Sequence, residues 1–524
     1  MLTLTDNHFD RIERWLLYLL IVTIPIDNLP KHYHLFGFMR NVPFTILCLA
    51  IIIALFRYIY YEGEYGKPPL KVKTLVVISI IWPILCTIIG VLDFPYWDDS
   101  ANEFLRSTDF VQKLAHFIPG ILQNDDLLHL KYANSLVIST LKGLLLPLIG
   151  IPFYVYVSFR NKPFSYTINV VSKASTFAAC AFSLYSLVEI PWVLTGNEFC
   201  AGILKFINVH LYDVATDHGW WPPILWTGPQ LRSFTHEPSF FCIEAVFILP
   251  LLWYRVFELK EKKAIVLLLL FTYMLYLTKA RTGQVIFLGE LFLLIILSIW
   301  GRYKNWKKYL LGTLIISALS FFIFLAAPMV ISHISSNTIT DNVTIHRALD
   351  SYVSNDLASA GSLNKRSNVA RWGDTIALFK VGMEHPLFGV GTNLHSSYMV
   401  NNIPEFARQD GEINLWVSLM EKEGFLKSGF PVMNEYAGIL AMYGFPGLLL
   451  FIGPIFWIAY NIWTHRQMWL KNYGFICLLI SLVGQMVCLF ANTLFYTYPL
   501  ALGFIILFIL TSRKSRILKK QKLK

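Results

Sequence analysis

Runs of apolar residues roughly 18–25 long alternate with polar breaks along nearly the whole chain, and each is long enough to cross a bilayer as a helix. They fall near positions 13–29, 41–60, 73–93, 134–158, 168–195, 237–256, 263–279, 284–301, 308–332, 435–461, 472–492 and 495–512. The pattern predicts an all-α polytopic membrane protein with about twelve transmembrane helices, forming a single membrane domain over 1–524. The first run, apolar from about Trp15 to Ile26, follows Arg11 and Arg14 without a small-residue cleavage site, which reads as a retained signal anchor.

The breaks are of two kinds. Alternate ones are short and basic: Arg57, Lys67, Lys71 and Lys73; Arg160 and Lys162; Arg255, Lys260, Lys262 and Lys263; Arg302, Lys304, Lys307 and Lys308; Arg466 and Lys471. Cytoplasmic loops concentrate Lys and Arg, so these loops and both termini are expected in the cytoplasm. The connections between them are long. Residues 94–133 carry Asp98, Asp99, Glu103, Asp125 and Asp126, and residues 196–236 are rich in Trp, Pro and Gly. Residues 333–434, between the ninth and tenth runs, make a large, mostly polar loop expected in the periplasm. Long connections are commonly functional, and all of these lie on the expected outer side.

Composition agrees: 55% hydrophobic, 15% charged and a mean hydropathy of +0.53 exclude an ordinary soluble domain. A net charge of +11 would suggest nucleic acid for a soluble chain, but here the charge follows the loops, and no nucleic-acid partner is expected. The seven cysteines form no CxxC pair and no cluster with histidine at metal spacing; six lie in predicted spans and Cys200 in a connection. No metal or other cofactor is expected.

Three polar constellations stand out. Arg232–Phe241 reads RSFTHEPSFF. Glu237 followed by Pro238 is a helix start, with an acidic N-cap and proline at the first helical position. That leaves Arg232 and His236 to explain, because a cation at a helix N-terminus opposes the dipole unless both face an anion. Leu277–Gln284, LTKARTGQ, puts Lys279 and Arg281 in an outer turn, against the basic-inside trend. Lys279 reads as an interfacial anchor and Arg281 as a functional cation. Arg371–Asn393, RWGDTIALFKVGMEHPLFGVGTN, reads as an amphipathic helix on the membrane surface bearing Arg371, Trp372, Ile376, Phe379 and Lys380, then a turn with Gly389 and Gly391. No GK[ST] follows its GVG, so it does not read as a phosphate loop. Arginine is permanently charged, and its planar fork matches phosphate oxygens in pairs. Arg232, Arg281 and Arg371 together suit a diphosphate at the membrane surface.

In this order, over about residues 230–450, the constellations resemble the O-antigen ligase and polymerase superfamily of bacterial membrane proteins. The likeness rests on Arg232 before one helix, the Arg281 turn between two later ones, the large loop with Arg371 and Pro386–Gly391, and Tyr443-Gly444-Phe445-Pro446-Gly447 in the helix after it. It implies a GT-C-like glycosyltransferase of the bacterial inner membrane, metal-independent and inverting, that moves glycans from undecaprenyl diphosphate at the periplasmic face. It further implies an undecaprenyl-diphosphate-linked oligosaccharide as substrate, membrane lipids around it, and a chain-length regulator and a flippase as partners. On that reading Arg232, Arg281 and Arg371 bind and stabilise the diphosphate, with His236 and His395 assisting binding. Glu237 is the first choice of general base, and His236, His395 and Glu435 are alternatives. The ligase branch carries a histidine before an asparagine at the end of the large loop. Here PVMNEYAGIL puts Met433 before Asn434, and methionine takes no proton. This favours a polymerase over a ligase acting on lipid A core or protein. A flippase for lipid-linked sugars would need charge deep in several spans, for which Lys142 and Lys173 are the candidates. Gly219–Trp226, GWWPPILW, reads as an interfacial tryptophan belt able to stack sugars.

Overall fold

A computed structural model describes residues 6–33, 40–61, 70–97, 99–213, 222–226, 230–335 and 366–522, and among them every regular element is helical. The helices are α1 (Asp6–Thr23), α2 (Val42–Tyr60), α3 (Leu70–Leu92), α4 (Asp99–Ser107), α5 (Asp109–Ala115), α6 (Asp125–Phe159), α7 (Phe164–Thr195), α8 (Glu198–Leu211) and α9 (Pro238–Phe257). They continue as α10 (Lys262–Leu277), α11 (Arg281–Gly301), α12 (Trp306–Ser335), α13 (Arg366–Glu384), α14 (His395–Asn402), α15 (Gly411–Glu423), α16 (Glu435–Thr464), α17 (Tyr473–Cys488) and α18 (Thr497–Lys522). Within α6, Leu141–Gly150 is wound as a π-helix containing Pro147, a residue with no N–H for the regular ladder. Part of the tryptophan-rich stretch, residues 219–221, lies outside the described residues.

Each of the twelve predicted runs falls on one of these helices, and among the described residues eight helices are long and apolar enough to cross a membrane: α2, α3, α6, α7, α9, α11, α12 and α16. The other four depart for identifiable reasons. α1 carries Asp6, Asp10, Arg11, Glu13 and Arg14 within its 18 residues. α10 and α17 have 16 residues each. At 1.5 Å per residue that is about 24 Å, less than the ~30 Å hydrocarbon core. The apolar part of α18 ends at Ser512. Cys200, expected in a connection, lies on α8.

α9 is the centre of the bundle. It is buried from Phe241 to Val256 and packed by α7, α10, α11 and α17, as a helix apolar on all sides must be. Gly283 lets α11 approach so closely that a side chain there would overlap Cys242 of α9. Lys142 and Lys173, the deep charges that a flippase would need, are exposed. Buried mid-span ionisable groups include acids instead: Glu189 on α7, Glu244 on α9 and Glu290 on α11.

The large connection, mostly polar in composition, is folded where it is described. Residues 366–434 fold around their own apolar cluster of Ala370, Ala377, Leu378, Val381, Met399 and Ile413, joined by Ala437 and Ala441 of α16. Residues 336–365 lie outside the described part. The expected surface helix is α13, and one of its faces is docked on α16, with Gly382 against Leu440. Trp372 and Phe379 stay exposed on the other face.

Beyond α13 the chain dips into the bundle. Val390 N–H donates to Ala441 O (2.9 Å), Gly391 N–H to Met442 O (3.0 Å) and Phe445 N–H to Pro386 O (2.8 Å). These carbonyls and the Phe445 amide are available because α16 breaks at Gly444, with φ 66 and ψ −173. Gly389 also has positive φ, and a side chain at Gly389 or Gly444 would overlap the backbone of the opposite segment. Trp82 of α3 stacks on Phe388 at 5.3 Å and donates its Nε1–H to Tyr443 O (3.0 Å). Irregular backbone among membrane helices is tolerated when protein satisfies its polar groups, and here it does. The glycines of the PLFGVG and YGFPG motifs therefore serve each other.

This pairing gives a direct test. Gly444→Ala should destabilise the purified protein by about 1–3 kcal/mol, seen as a lower melting temperature in detergent. Gly453→Ala, on the same helix where an added methyl meets nothing within 4 Å, should leave melting unchanged. Equal losses from the two would contradict the pairing.

Candidate functional site

α9 starts at Pro238 with Glu237 in the N-cap position, as the sequence predicts. The preceding turn is held from α7. Glu189, 2% exposed, accepts the Arg232 N–H at 3.0 Å and the Ser233 N–H at 2.7 Å. Ser233 has φ 54, uncommon for a residue other than glycine, and its hydroxyl donates to Phe182 O at 3.0 Å. Arg232 is 1% exposed. Its guanidinium donates to His236 O (3.2 Å) and Ile224 O (2.9 Å) and lies 5.3 Å over the Tyr212 ring. Glu237 is half-buried, and its carboxylate accepts the Ser239 hydroxyl instead of capping helix amides.

His236 is buried, with Nδ1 3.3 Å from Asp27 Oδ1 in the connection between α1 and α2. Burial and the charge on Arg232 push His236 down to about 4, so the imidazole is neutral at pH 7. The Asp27 side chain remains 46% exposed, yet its surroundings are dry enough to raise it to about 6.

The second constellation adjoins the first. Leu231 N–H donates to Leu277 O at 3.0 Å, tying the two turns together. Lys279, with φ 51, leads into Arg281, the half-buried first residue of α11. One turn on, the Gln284 side chain donates to Tyr276 O at 3.1 Å. With Gly283 against Cys242, the N-termini of α9 and α11 lie side by side. Two such ends favour negative charge before them.

The third constellation closes over the connection between α17 and α18. Half-buried Arg371 donates to Ala491 O. Asp374, one turn on and 1% exposed, accepts the Met433 N–H through Oδ2 at 3.0 Å. Its buried Oδ1 has no hydrogen-bond partner among the described residues, and burial pushes the carboxyl up to about 8. Glu435 donates its N–H to Leu489 O (2.9 Å) and accepts the Leu494 N–H through Oε2 (3.1 Å). Phe495 packs on Phe240 of α9 at 5.1 Å, and the Asp27 charge acts on Tyr496. One connection thus touches Arg371, Glu435 and Phe240 beside the RSFTHEP turn, and lies within reach of the Asp27 charge. His395 is different: it starts α14, is 3% exposed within the folded part of the large loop, and burial lowers it to about 4.

Asp27, Glu189 and Asp374 were not singled out by the sequence. Glu189 carried a usable signal, since an acid inside an apolar run is costly to bury without a role. Asp374 lies three residues after Arg371, on the same side of a helix. Asp27 carries no local signal.

Residues 265–452 match the O-Antigen ligase family. No match is found among curated proteins. The family implies glycan transfer of the O-antigen ligase and polymerase type, by a glycosyltransferase-like membrane enzyme acting on lipid-linked glycans. Arg281, Arg371, Asp374, His395 and Glu435 lie inside the matched segment, whereas Asp27, Glu189, Arg232 and His236 precede it.

Asp374 makes the fit of α13 to α16 sensitive to pH. Its folded-state value is raised, so its contribution to stability is present in acid and is lost as pH rises through about 8. Asp374→Asn keeps an acceptor for the Met433 N–H but cannot ionise. Between roughly pH 5 and 9 the melting temperature of the wild type should fall further than that of the variant. Parallel curves would show that Asp374 does not titrate there.

Proposed function

We propose that this member of the O-antigen ligase and polymerase superfamily is a polymerase, moving a growing glycan from undecaprenyl diphosphate to a lipid-linked repeat unit at the periplasmic face of the bacterial inner membrane. Met433 carries the choice over a ligase. It stands where the ligase branch has a histidine, its side chain exchanges no proton, and its N–H is held by Asp374.

In the transfer, negative charge builds on the departing diphosphate while positive charge builds on the sugar ring. Arg281 and Arg371 are the cations for the diphosphate, beside the paired N-termini of α9 and α11. Arg232, committed to the carbonyls of His236 and Ile224, adds its charge from behind the turn. The proton of the acceptor hydroxyl goes to the RSFTHEP end of the site, where Glu237 and His236 lie. His395 supports the loop over the glycan.

Removing one preorganised donor typically costs about 2.7–4 kcal/mol, a hundred- to thousand-fold in rate. Cells carrying Arg281→Ala or Arg371→Ala should therefore accumulate single lipid-linked repeat units and lack the ladder of longer chains. Arg281→Lys should resemble Arg281→Ala, because lysine keeps the charge but loses the paired donors. Full-length polymer trapped on its lipid carrier in those cells would instead establish the ligase.

A further inference from the structure

We propose that Asp27, set against His236 in the first connection of the chain, accepts the proton of the attacking hydroxyl. The inference rests on the glycan-transfer reading of the same site and names a group for which that reading leaves the choice open.

The carboxyls near the site differ in what they are free to do. Glu189 gives both oxygens to main-chain amides and is buried. Asp374 and Glu435 each hold an amide and are 1% and 6% exposed. Glu237 accepts the Ser239 hydroxyl at the N-cap of α9. Asp27 is the one of these that combines an open side chain, 46% exposed, with a fixed neighbour, His236 Nδ1 at 3.3 Å.

Its backbone is also fixed. Val42 N–H donates to Ile26 O (3.1 Å) and Leu29 N–H to Arg40 O (2.9 Å), which closes the connection on itself. Asp213 N–H donates to Asn28 O (2.9 Å), which ties the connection to the end of α8. The Arg40 Nε–H donates to Asn28 Oδ1 at 2.9 Å. Among the described residues, the charged and titratable groups around Asp27 include Arg40 before α2, Tyr212 after α8, His236 before α9 and Tyr496 before α18. Arg232 acts on His236 from behind.

The chemistry follows from this placement. A carboxylate with a value near 6 is ionised at neutral pH yet basic enough to take a proton in the transition state. The neutral His236 ring points Nδ1 at it and fixes its direction, the arrangement of a base oriented by a second group. The acceptor oxygen forms the new bond to the anomeric carbon, and its proton passes to Asp27. The bond from that carbon to the diphosphate oxygen breaks, and the electron pair leaves with the lipid diphosphate. Asp27, open to water, then releases the proton.

The test uses the full-length protein in lipid vesicles, with lipid-linked repeat units extracted from cells that lack it. Chain ladders are measured against pH, and binding of undecaprenyl diphosphate is read from the rise in melting temperature. Asp27→Asn should lower turnover about a hundredfold or more while undecaprenyl diphosphate still raises its melting temperature. Asp27→Glu should recover part of the rate. The wild-type rate should climb through an acid limb near pH 6, and His236→Gln should displace that limb. Asp27→Asn turning over within a few-fold of wild type would overturn the inference, as would loss of the acid limb in Glu237→Gln but not in Asp27→Asn. A wild type that neither extends chains nor binds undecaprenyl diphosphate would overturn the transfer reading, and the inference with it.

Discussion

Glu189 lies on a membrane span, 2% exposed, with one oxygen on the Arg232 N–H and the other on the Ser233 N–H. The turn before α9 hangs from that pair of bonds. They hold Ser233 in its left-handed conformation, which turns the chain sharply before α9. The turn sends the Arg232 guanidinium back onto His236 O and sets the imidazole toward Asp27. Without the carboxylate, two buried amides would lose their partners at about 1–3 kcal/mol each. Ser233 would also have no reason to keep a strained conformation. A carboxylate inside a bilayer is expensive, and this one is matched by two donors that nothing else in the turn would satisfy.

A second constraint fixes Arg371 from both ends of its helix. At the C-terminal end, Gly389 and Gly391 pair with the break at Gly444, locking the loop onto α16 one residue at a time. At the other end Asp374 holds the Met433 N–H just before α16 begins. α13 therefore cannot slide along α16 without breaking one set of bonds. The arginine keeps its place over Ala491 although it belongs to a large connection outside the bundle. Rigid anchoring of this kind is what the role proposed for Arg371 needs, since a small misplacement of a charge-stabilising group costs much of its effect.

The helices were legible because their signal is local and repeated. Twelve apolar runs were visible, and Glu237-Pro238 marked the start of α9 to the residue. What was not legible depends on partners far apart in the chain. Glu189 and Arg232 are separated by 43 positions, and Asp27 meets His236 only after seven helices intervene. The core of the large loop was not legible because it is built partly from alanines, Ala370, Ala377 and Ala407, which carry little pattern. Trp372 and Phe379 drew attention to the exposed face of α13, while smaller residues made the contact with α16. Arg232 read as an open anion-binding group because sequence cannot show that its donors return to the chain's own carbonyls.

The site does not fit inside the segment that matches the family. Residues 265–452 supply Arg281, Arg371, Asp374 and Glu435. The carbonyl that receives Arg371, at Ala491, comes after the segment, as do the carbonyl and amide that flank Glu435, at Leu489 and Leu494. The turn beside Arg281 is joined through Leu231, which comes before it, and that turn in turn needs Glu189 and Asp27. Cut at the family boundaries, the segment would leave half-buried Arg371 and buried Glu435 without these partners. Leaving a buried charged group unpaired costs more than the ~1–3 kcal/mol of a neutral one. The flanking helices therefore supply the partners that make the charges of the matched segment tolerable.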